Sequence, residues 1–278
     1  MYSFIVNSIT PHKIFKLEEN LKKVMPSVAW ELICINDAKS MCEGYNRGMA
    51  LAKGTFFIFC HDDIEFIPED ITTSLELAFK NSDVFGVMGT RLCLGLNFTR
   101  AGIPNVVGLW VEEKATNDFV IMASGVEGAM LSGIQSLDGV LIGAHSSVAR
   151  TLGWDQDTFD GWHGYDVDFS YRAYRAGFNV AVTCILPIVH YCQSTFMDPD
   201  FLNAEIKFID KHDLIKNINY DRSYENCHYG SMDYPGYLSL SKIMEDLRNN
   251  FLGIMNDCTK IRYDNMLRKP KMKTIINR

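Results

Sequence analysis

The chain has 278 residues, 47% of them hydrophobic and 22% charged, the profile of a globular protein with room for one large α/β domain and an appendage, or two small domains. Lys and Arg number 27 against 34 Asp and Glu, and the resulting charge of −7 excludes a nucleic acid held on a broadly basic surface. No run approaches the ~20 apolar residues of a membrane span.

The first ninety residues alternate in a regular way. Phe4-Ile5-Val6 is a short apolar strand that ends at Asn7-Ser8. Ile14, Leu17, Leu21 and Val24 recur at helical spacing, and Pro26 closes that segment. Leu32-Ile33-Cys34-Ile35 is a second strand, stopping at Asn36-Asp37, and a helix carrying Tyr45, Met49 and Ala52 ends at Gly54. A third strand, residues 56–60, stops at His61-Asp62-Asp63. Pro68, Glu69 and Asp70 are expected to open a helix with Ile71, Leu75, Ala78 and Phe79 on one face, followed by a fourth strand over residues 84–88. Continuous apolar strands alternating with helices predict a mainly parallel sheet covered on both faces.

Glycines punctuate short β-prone pieces over residues 90–137, as hairpins or a mobile loop would require. Order returns with a strand at residues 140–142, a helix from Ser146 to Gly153, and a helix from Asp166 to Ala176 capped by Gly177. Residues 180–189 read as one strand-like run interrupted by Pro187 and ending at His190. Residues 1–195 are therefore expected to form the main domain, and residues 196–278 a helical extension. In that extension Phe201, Ile206, Ile209 and Leu214, then Leu238, Ile243, Leu247, Phe251 and Ile254, give incomplete apolar faces. These could cover the main domain, form a homo-oligomer contact or dock elsewhere. Arg268, Lys269, Lys271, Lys273 and Arg278 make a basic tail that could touch an anionic membrane surface, or be a solvated terminus.

Eight cysteines without a CxxC pair argue against a zinc knuckle or a thioredoxin-type motif. The start lacks the pattern of a signal peptide, so a cytoplasmic protein with reduced cysteines is expected, peripheral to the membrane's inner face if the tail binds there. The Asn97 sequon is then a chance match.

Ligands of open α/β sheets bind beyond the carboxyl ends of the strands. Here those ends carry Asn7-Ser8, Asn36-Asp37, His61-Asp62-Asp63 and His190. Two adjacent carboxylates and a histidine directly after an apolar strand repel and desolvate one another unless a cation or hydrogen bonds offset them. They read as a metal site, or as an acidic turn in which Asp63 caps the next segment. Neither GxGxxG, GxxxxGK[ST] nor GxSxG is present, which disfavours a dinucleotide fold, a P-loop and a hydrolase elbow. A bound phosphate would then need a metal rather than a backbone nest. In the second cluster, FDGWHGYDVDFSYRAYRAGF, Asp168 and Arg172 can pair along one helix face, while Asp166 points about 160° away and can face a cleft. Trp162, His163 and Tyr165 either line a sugar-sized pocket or pack at the helix entrance.

The order of these pieces resembles the GT-A glycosyltransferases, closest to their family-two-like bacterial branch. It comprises a strand ending in ND, then YNRG, a strand ending in HDD, then LDG, WHGYDVDFSYRAYRAGF and a strand ending in His. The resemblance implies a GT-A-type fold and a metal-dependent, inverting transfer of sugar from a nucleotide-sugar donor, with a UDP-sugar leading. The acceptor would be a hydroxyl on a glycan or on a lipid- or protein-linked sugar, in cell-surface glycan or glycoprotein assembly. It implies that Asp63, with His190 and His61, binds Mn²⁺ or Mg²⁺, with His61 standing where the family has an Asp. Donor contacts are implied for Asp37, Asn46, Asp62, Asp138 and Gly139, and the role of base for Asp166; Asn7, at the end of the first strand, and His163, in the second cluster, are expected donor contacts from their own positions. The competing readings are a metal-dependent nucleotidyltransferase or phosphodiesterase, and a non-catalytic nucleotide-sugar-binding subunit.

Overall fold

The computed structural model describes residues 1–102, 104–115, 118–126, 128–191, 199–214 and 231–232. Its first sheet takes strands β1 (Tyr2–Asn7), β2 (Trp30–Ile35), β3 (Phe56–Cys60), β5 (Val84–Gly86), β9 (Met130–Ser132), β11 (Leu141–His145) and β12 (Val180–Thr183), in the order β2-β1-β3-β11-β5-β12-β9. Helices α1 (Pro11–Val24), α2 (Met41–Leu51), α3 (Thr72–Asn81), α4 (Ser146–Leu152) and α5 (Tyr165–Arg175) flank it, and α6 (Pro199–Lys211) follows. Among the described residues no helix is long and apolar enough to cross a membrane.

The period-two alternation of the strands divides two cores. Phe4 and Val6 of β1 and Ile58 and Cys60 of β3 pack with Leu17, Leu21 and Val24 of α1 and Leu75, Ala78 and Phe79 of α3. Ile5, Phe57 and Phe59 face the other way, toward Tyr45 and Met49 of α2 and Phe169 and Ala173 of α5. On that side Trp154 stacks on Phe169 with ring centroids 4.1 Å apart, and Tyr45 lies 4.9 Å from Trp154.

The expected α/β architecture is present, with one difference in the sheet. Strands β2, β1 and β3 are parallel, as are β5 and β12, but β11 runs antiparallel to both β3 and β5. That inversion brings the start of β11 to the carboxyl end of β3, with Leu141 opposite Cys60.

A second sheet was not foreseen. It comprises β4 (Ile64–Phe66), β6 (Met88–Thr90), β7 (Val106–Ala115), β8 (Asp118–Ser124), β10 (Ser136–Leu137) and β13 (Ile188–His190), with β14 (Ser231–Met232) beside β8. The glycine-punctuated region thus contains the antiparallel pair β7–β8, with β9 and β10 after it. Residues 84–88 are not one strand: the chain changes sheets at Val87. The run over residues 180–189 divides similarly, β12 pairing with β5 and β13 with β4 and β7. Helix α3 begins at Thr72 rather than Pro68, because the Asp70 carboxylate accepts the Thr72 amide at 2.7 Å and makes a turn of the expected first helical residues.

Helix α6 carries part of the expected extension, with a shifted apolar face. Ala204, Glu205 and Phe208 are buried while Ile206 is 58% exposed. The stripe over residues 238–254 and the basic tail lie outside the described residues.

Candidate active site

At the carboxyl edge of the first sheet lies a cavity of about 390 Å³, within the usual range for small-molecule sites. Its polar wall contains Asn7, His61, Asp62, Asp63, Asp138, Gly139, His163, Asp166 and His190, nine of the eleven residues expected at the site. Leu96, Phe98, Trp162 and Phe201 add an apolar wall.

Three elements converge on the histidines. His61 directly follows β3, and its amide donates to Val140 O at 3.1 Å. His190 ends β13 opposite Ile64 of β4, and the Tyr191 amide donates to Asp63 O at 2.9 Å. This pairing holds His190 Nε2 3.5 Å from Asp63 Oδ1 and 3.4 Å from His61 Nδ1. His61 Nδ1 is 3.9 Å from the same carboxylate oxygen. Asp63 Oδ1 is buried without a hydrogen-bond partner, although buried oxygens are ordinarily paired. An orphaned carboxylate oxygen facing two imidazole nitrogens fits a divalent cation, and all three ligand atoms lie within 4.8 Å of one another.

The electrostatics suit that use. Burial, reinforced by His190, pushes the His61 imidazole down to about 4, so the ring is neutral and can offer a lone pair. Its Nε2 lies 2.8 Å from the Tyr165 hydroxyl; when Nε2 donates there, the lone pair is on Nδ1, toward the cluster. Burial alone would raise Asp63, but the contact with His190, then His61 and Lys13, outweigh it and hold the carboxyl well below its usual range.

Asp62 has another environment. Ser8 Oγ donates to its Oδ2 at 2.5 Å and Lys13 Nζ lies 3.1 Å from its Oδ1. The same ammonium reaches Asp63 Oδ2 at 3.2 Å. Ser8 belongs to the polar end of the first strand named above, whereas Lys13 was not among the expected residues. The sequence signal for Lys13 is its place in the first turn of α1, where the helix dipole disfavours a cation.

The opposite wall is the entrance of α5. Gly164 precedes it with φ of 82°, a left-handed conformation in which a Cβ would also strike the Phe159 ring. Asp166 in the first turn accepts the Gly139 amide at 2.8 Å. Asp138 folds onto its own turn, accepting from the Val140 amide at 2.9 Å. Burial, then the neighbouring Asp138, push the Asp166 carboxyl up to about 7; burial also raises Asp138. Asp168, as expected, turns away and pairs with Arg172 at 2.7 Å. His163 lies edge-on to Phe201 of α6, with centroids 5.6 Å apart, and Trp162 stands 52% exposed at the rim.

A side chain at position 139 would run into the Tyr165 hydroxyl and Asp166 Cβ. Gly139→Ala is therefore expected to cost about 1–3 kcal/mol of stability and to displace Asp166. Chemical denaturation read beside turnover checks both effects.

Two expected residues stand outside the cavity. Asn46 ties α2 to the chain beyond α4: its Nδ2 donates to Trp154 O at 2.8 Å and its Oδ1 accepts the Trp154 amide at 3.0 Å. Its amide is thereby committed to packing. Asp37, beyond the end of β2, is 68% exposed and paired with Arg47 at 2.6 Å.

Comparison with known proteins bears on the whole of this unit. Residues 4–211 match the family model described as "Glycosyltransferase like family". No curated protein sequence matches the chain. Among solved structures, S. aureus TarS in complex with UDP-GlcNAc is similar at 14% identity and a TM-score of 0.45, over 73% of this chain and 64% of that one. TarS in complex with UDP aligns at 12% identity with a TM-score of 0.44, over 73% of this chain and 62% of that one. The chain thus spans less than two thirds of the length of these first two relatives. The mannosyltransferase PcManGT from Pyrobaculum calidifontis, in complex with GDP-Man and Mn²⁺, aligns at 11% identity with a TM-score of 0.44, over 70% and 58% of the two chains.

Proposed function

Because the chain belongs to the glycosyltransferase-like family, we propose that it transfers a sugar from a nucleoside diphosphate donor, with UDP the leading nucleotide, to an acceptor hydroxyl with inversion at the anomeric carbon. One observation carries the reading: a single cavity holds the orphaned Asp63 oxygen between two imidazoles and, across it, the carboxylate of Asp166. Residues 1–195 with α6 form the catalytic unit in this proposal. The acceptor is a glycan, or a sugar linked to lipid or protein, at the wall of Trp162, His163 and Phe201.

His61, Asp63 and His190 would hold the divalent ion, Mn²⁺ or Mg²⁺. A bound ion supplies Lewis-acid stabilisation of the charge that develops on the departing diphosphate. In this reading Asn7 serves the nucleoside end and the Asp138-Gly139 turn the donor sugar, while Asp37, outside the cavity, would meet the nucleotide base only by leaving Arg47. Asp166, oriented by the Gly139 amide, takes the proton of the acceptor hydroxyl as that oxygen attacks the anomeric carbon. Its raised pKa matches a base that must accept a proton near neutrality. Attack from the face opposite the diphosphate inverts the configuration.

Calorimetric titration of UDP and GDP, with and without Mn²⁺, tests the donor site on the wild type and on Asp63→Ala. Binding that requires the ion and disappears in the variant is the expected result. No binding of either nucleotide under any condition would sink the reading.

A further inference from the structure

We infer that Lys13 decides which ion the site accepts, by withholding Asp62 from it and holding Asp63 to one ligand oxygen. The inference rests on the metal reading above and concerns a residue that touches neither ion nor substrate in that reading. Lys13 is thus a positioning residue.

Both oxygens of Asp62 are engaged. Oδ1 faces Lys13 Nζ at 3.1 Å, and Oδ2 accepts the Ser8 hydroxyl at 2.5 Å. Ser8 Oγ in turn accepts the Thr10 amide at 3.0 Å, which leaves its single proton for Asp62. Asp63 is divided between two partners: Oδ2 lies 3.2 Å from Lys13, while Oδ1 faces His61 and His190. A carboxylate anchored through one oxygen cannot readily swing to chelate an ion with both. The protein therefore offers two nitrogens and one oxygen.

The position of Lys13 shows that the arrangement is specified. An ammonium in the first turn of α1 opposes the helix dipole, and two carboxylates offset that. Mg²⁺ favours oxygen ligands in a strict octahedron, whereas imidazole suits first-row transition ions. With Asp62 released, the site would offer a second carboxylate and become hospitable to Mg²⁺. As built, it selects Mn²⁺ or a neighbouring transition ion over Mg²⁺.

The test follows the electron paramagnetic resonance signal of free Mn²⁺ in the presence of the full chain, with Mg²⁺ as competitor. Lys13→Met keeps the aliphatic stem and removes the charge. The expected result is Mg²⁺ competition about tenfold stronger in the variant than in the wild type. The double variant Lys13→Met/Asp62→Asn should move the ratio back toward the wild-type value, the remaining difference being what the released second oxygen of Asp63 adds. Ser8→Ala, which frees one oxygen of Asp62 without touching the charge, should shift the ratio in the same direction by a smaller factor, and it stands in if Lys13→Met fails to fold. An unchanged ratio in the folded variants, with Mn²⁺ still bound, overturns the role of Lys13 and leaves the ion site standing. Absence of Mn²⁺ binding by the wild type removes the ion site itself, and this inference with it.

Discussion

Asp166→Asn is expected to lower turnover by about 10²–10⁴-fold while donor binding survives, because a general base contributes in that range. The asparagine oxygen can still accept the Gly139 amide, so the entrance of α5 stays in place. The wild-type rate should rise with pH up to about 7, where the Asp166 carboxyl loses its proton, and then level off. The residual rate of the variant should lack that rise. A second consequence separates this role from a merely structural one. The folded carboxyl sits above its unfolded value, so the native state binds more protons between about pH 4 and 7, and wild-type stability falls as pH rises through that window. Asparagine carries no such charge. In metal-free buffer Asp166→Asn should therefore be more stable than the wild type at pH 8, by about 1–2 kcal/mol, and no more stable at pH 4. Thermal melts at the two pH values beside single-turnover rates decide the matter. A variant with near-normal turnover would remove Asp166 from the chemistry.

How far the sequence disclosed this site depends on what each residue relies on. The β1, β3 and α5 contributions were legible because an apolar strand that stops at Asn7, or at His61-Asp62-Asp63, leaves polar groups at the sheet's carboxyl edge whatever the neighbouring strands do. The opposition of Asp166 and Asp168 followed from helical geometry alone. Other features depend on pairings between residues distant in sequence. The β4 strand has three residues, too few to show a period, and exists because Ile64 to Phe66 find β13 more than a hundred residues later. The antiparallel sense of β11 is equally invisible locally, yet it delivers Asp138 and Gly139 to the cavity. Asn46 illustrates the converse. A polar residue in an expected motif is committed to Trp154, 108 positions away, because a helix flank needs its amide more than the cavity does. Lys13 is not legible locally, because a single lysine in an amphipathic helix resembles a solvated one and only its unfavourable place on the dipole sets it apart.

Asp168→Ala should produce the largest loss of stability, about 3–5 kcal/mol, the cost of breaking a buried ion pair from one side. The Asp168 side chain is 1% exposed and joins three elements. Its Oδ2 accepts Arg172 Nε at 2.7 Å, and its Oδ1 lies 2.6 Å from Lys211 Nζ and 2.8 Å from His212 Nε2. Arg172 continues to the carbonyls of Leu152 and Gly153, each at 2.7 Å, so the end of α4 hangs on the same carboxylate. Removing it leaves Arg172 with those two carbonyls and Lys211 with Asp155, at 2.6 Å, beside a buried histidine that has lost its carboxylate at the root of α6. The other end of that helix carries Phe201 into the cavity wall, and its middle is held by the Glu205–Arg100 pair next to Leu96 and Phe98. Loss of Asp168 should thus reach acceptor use as well as the melting midpoint. Burial pushes the Asp168 carboxyl upward, but His212, Arg172 and Lys211 together hold it below the usual range. Its contribution is present above the unfolded value near ~4 and is lost as pH falls through the lower folded value. Urea unfolding at pH 7 and pH 3 should show a wide gap between wild type and variant at the first and a narrower one at the second. An equal gap at both would mean that packing, rather than charge, is what Asp168 supplies.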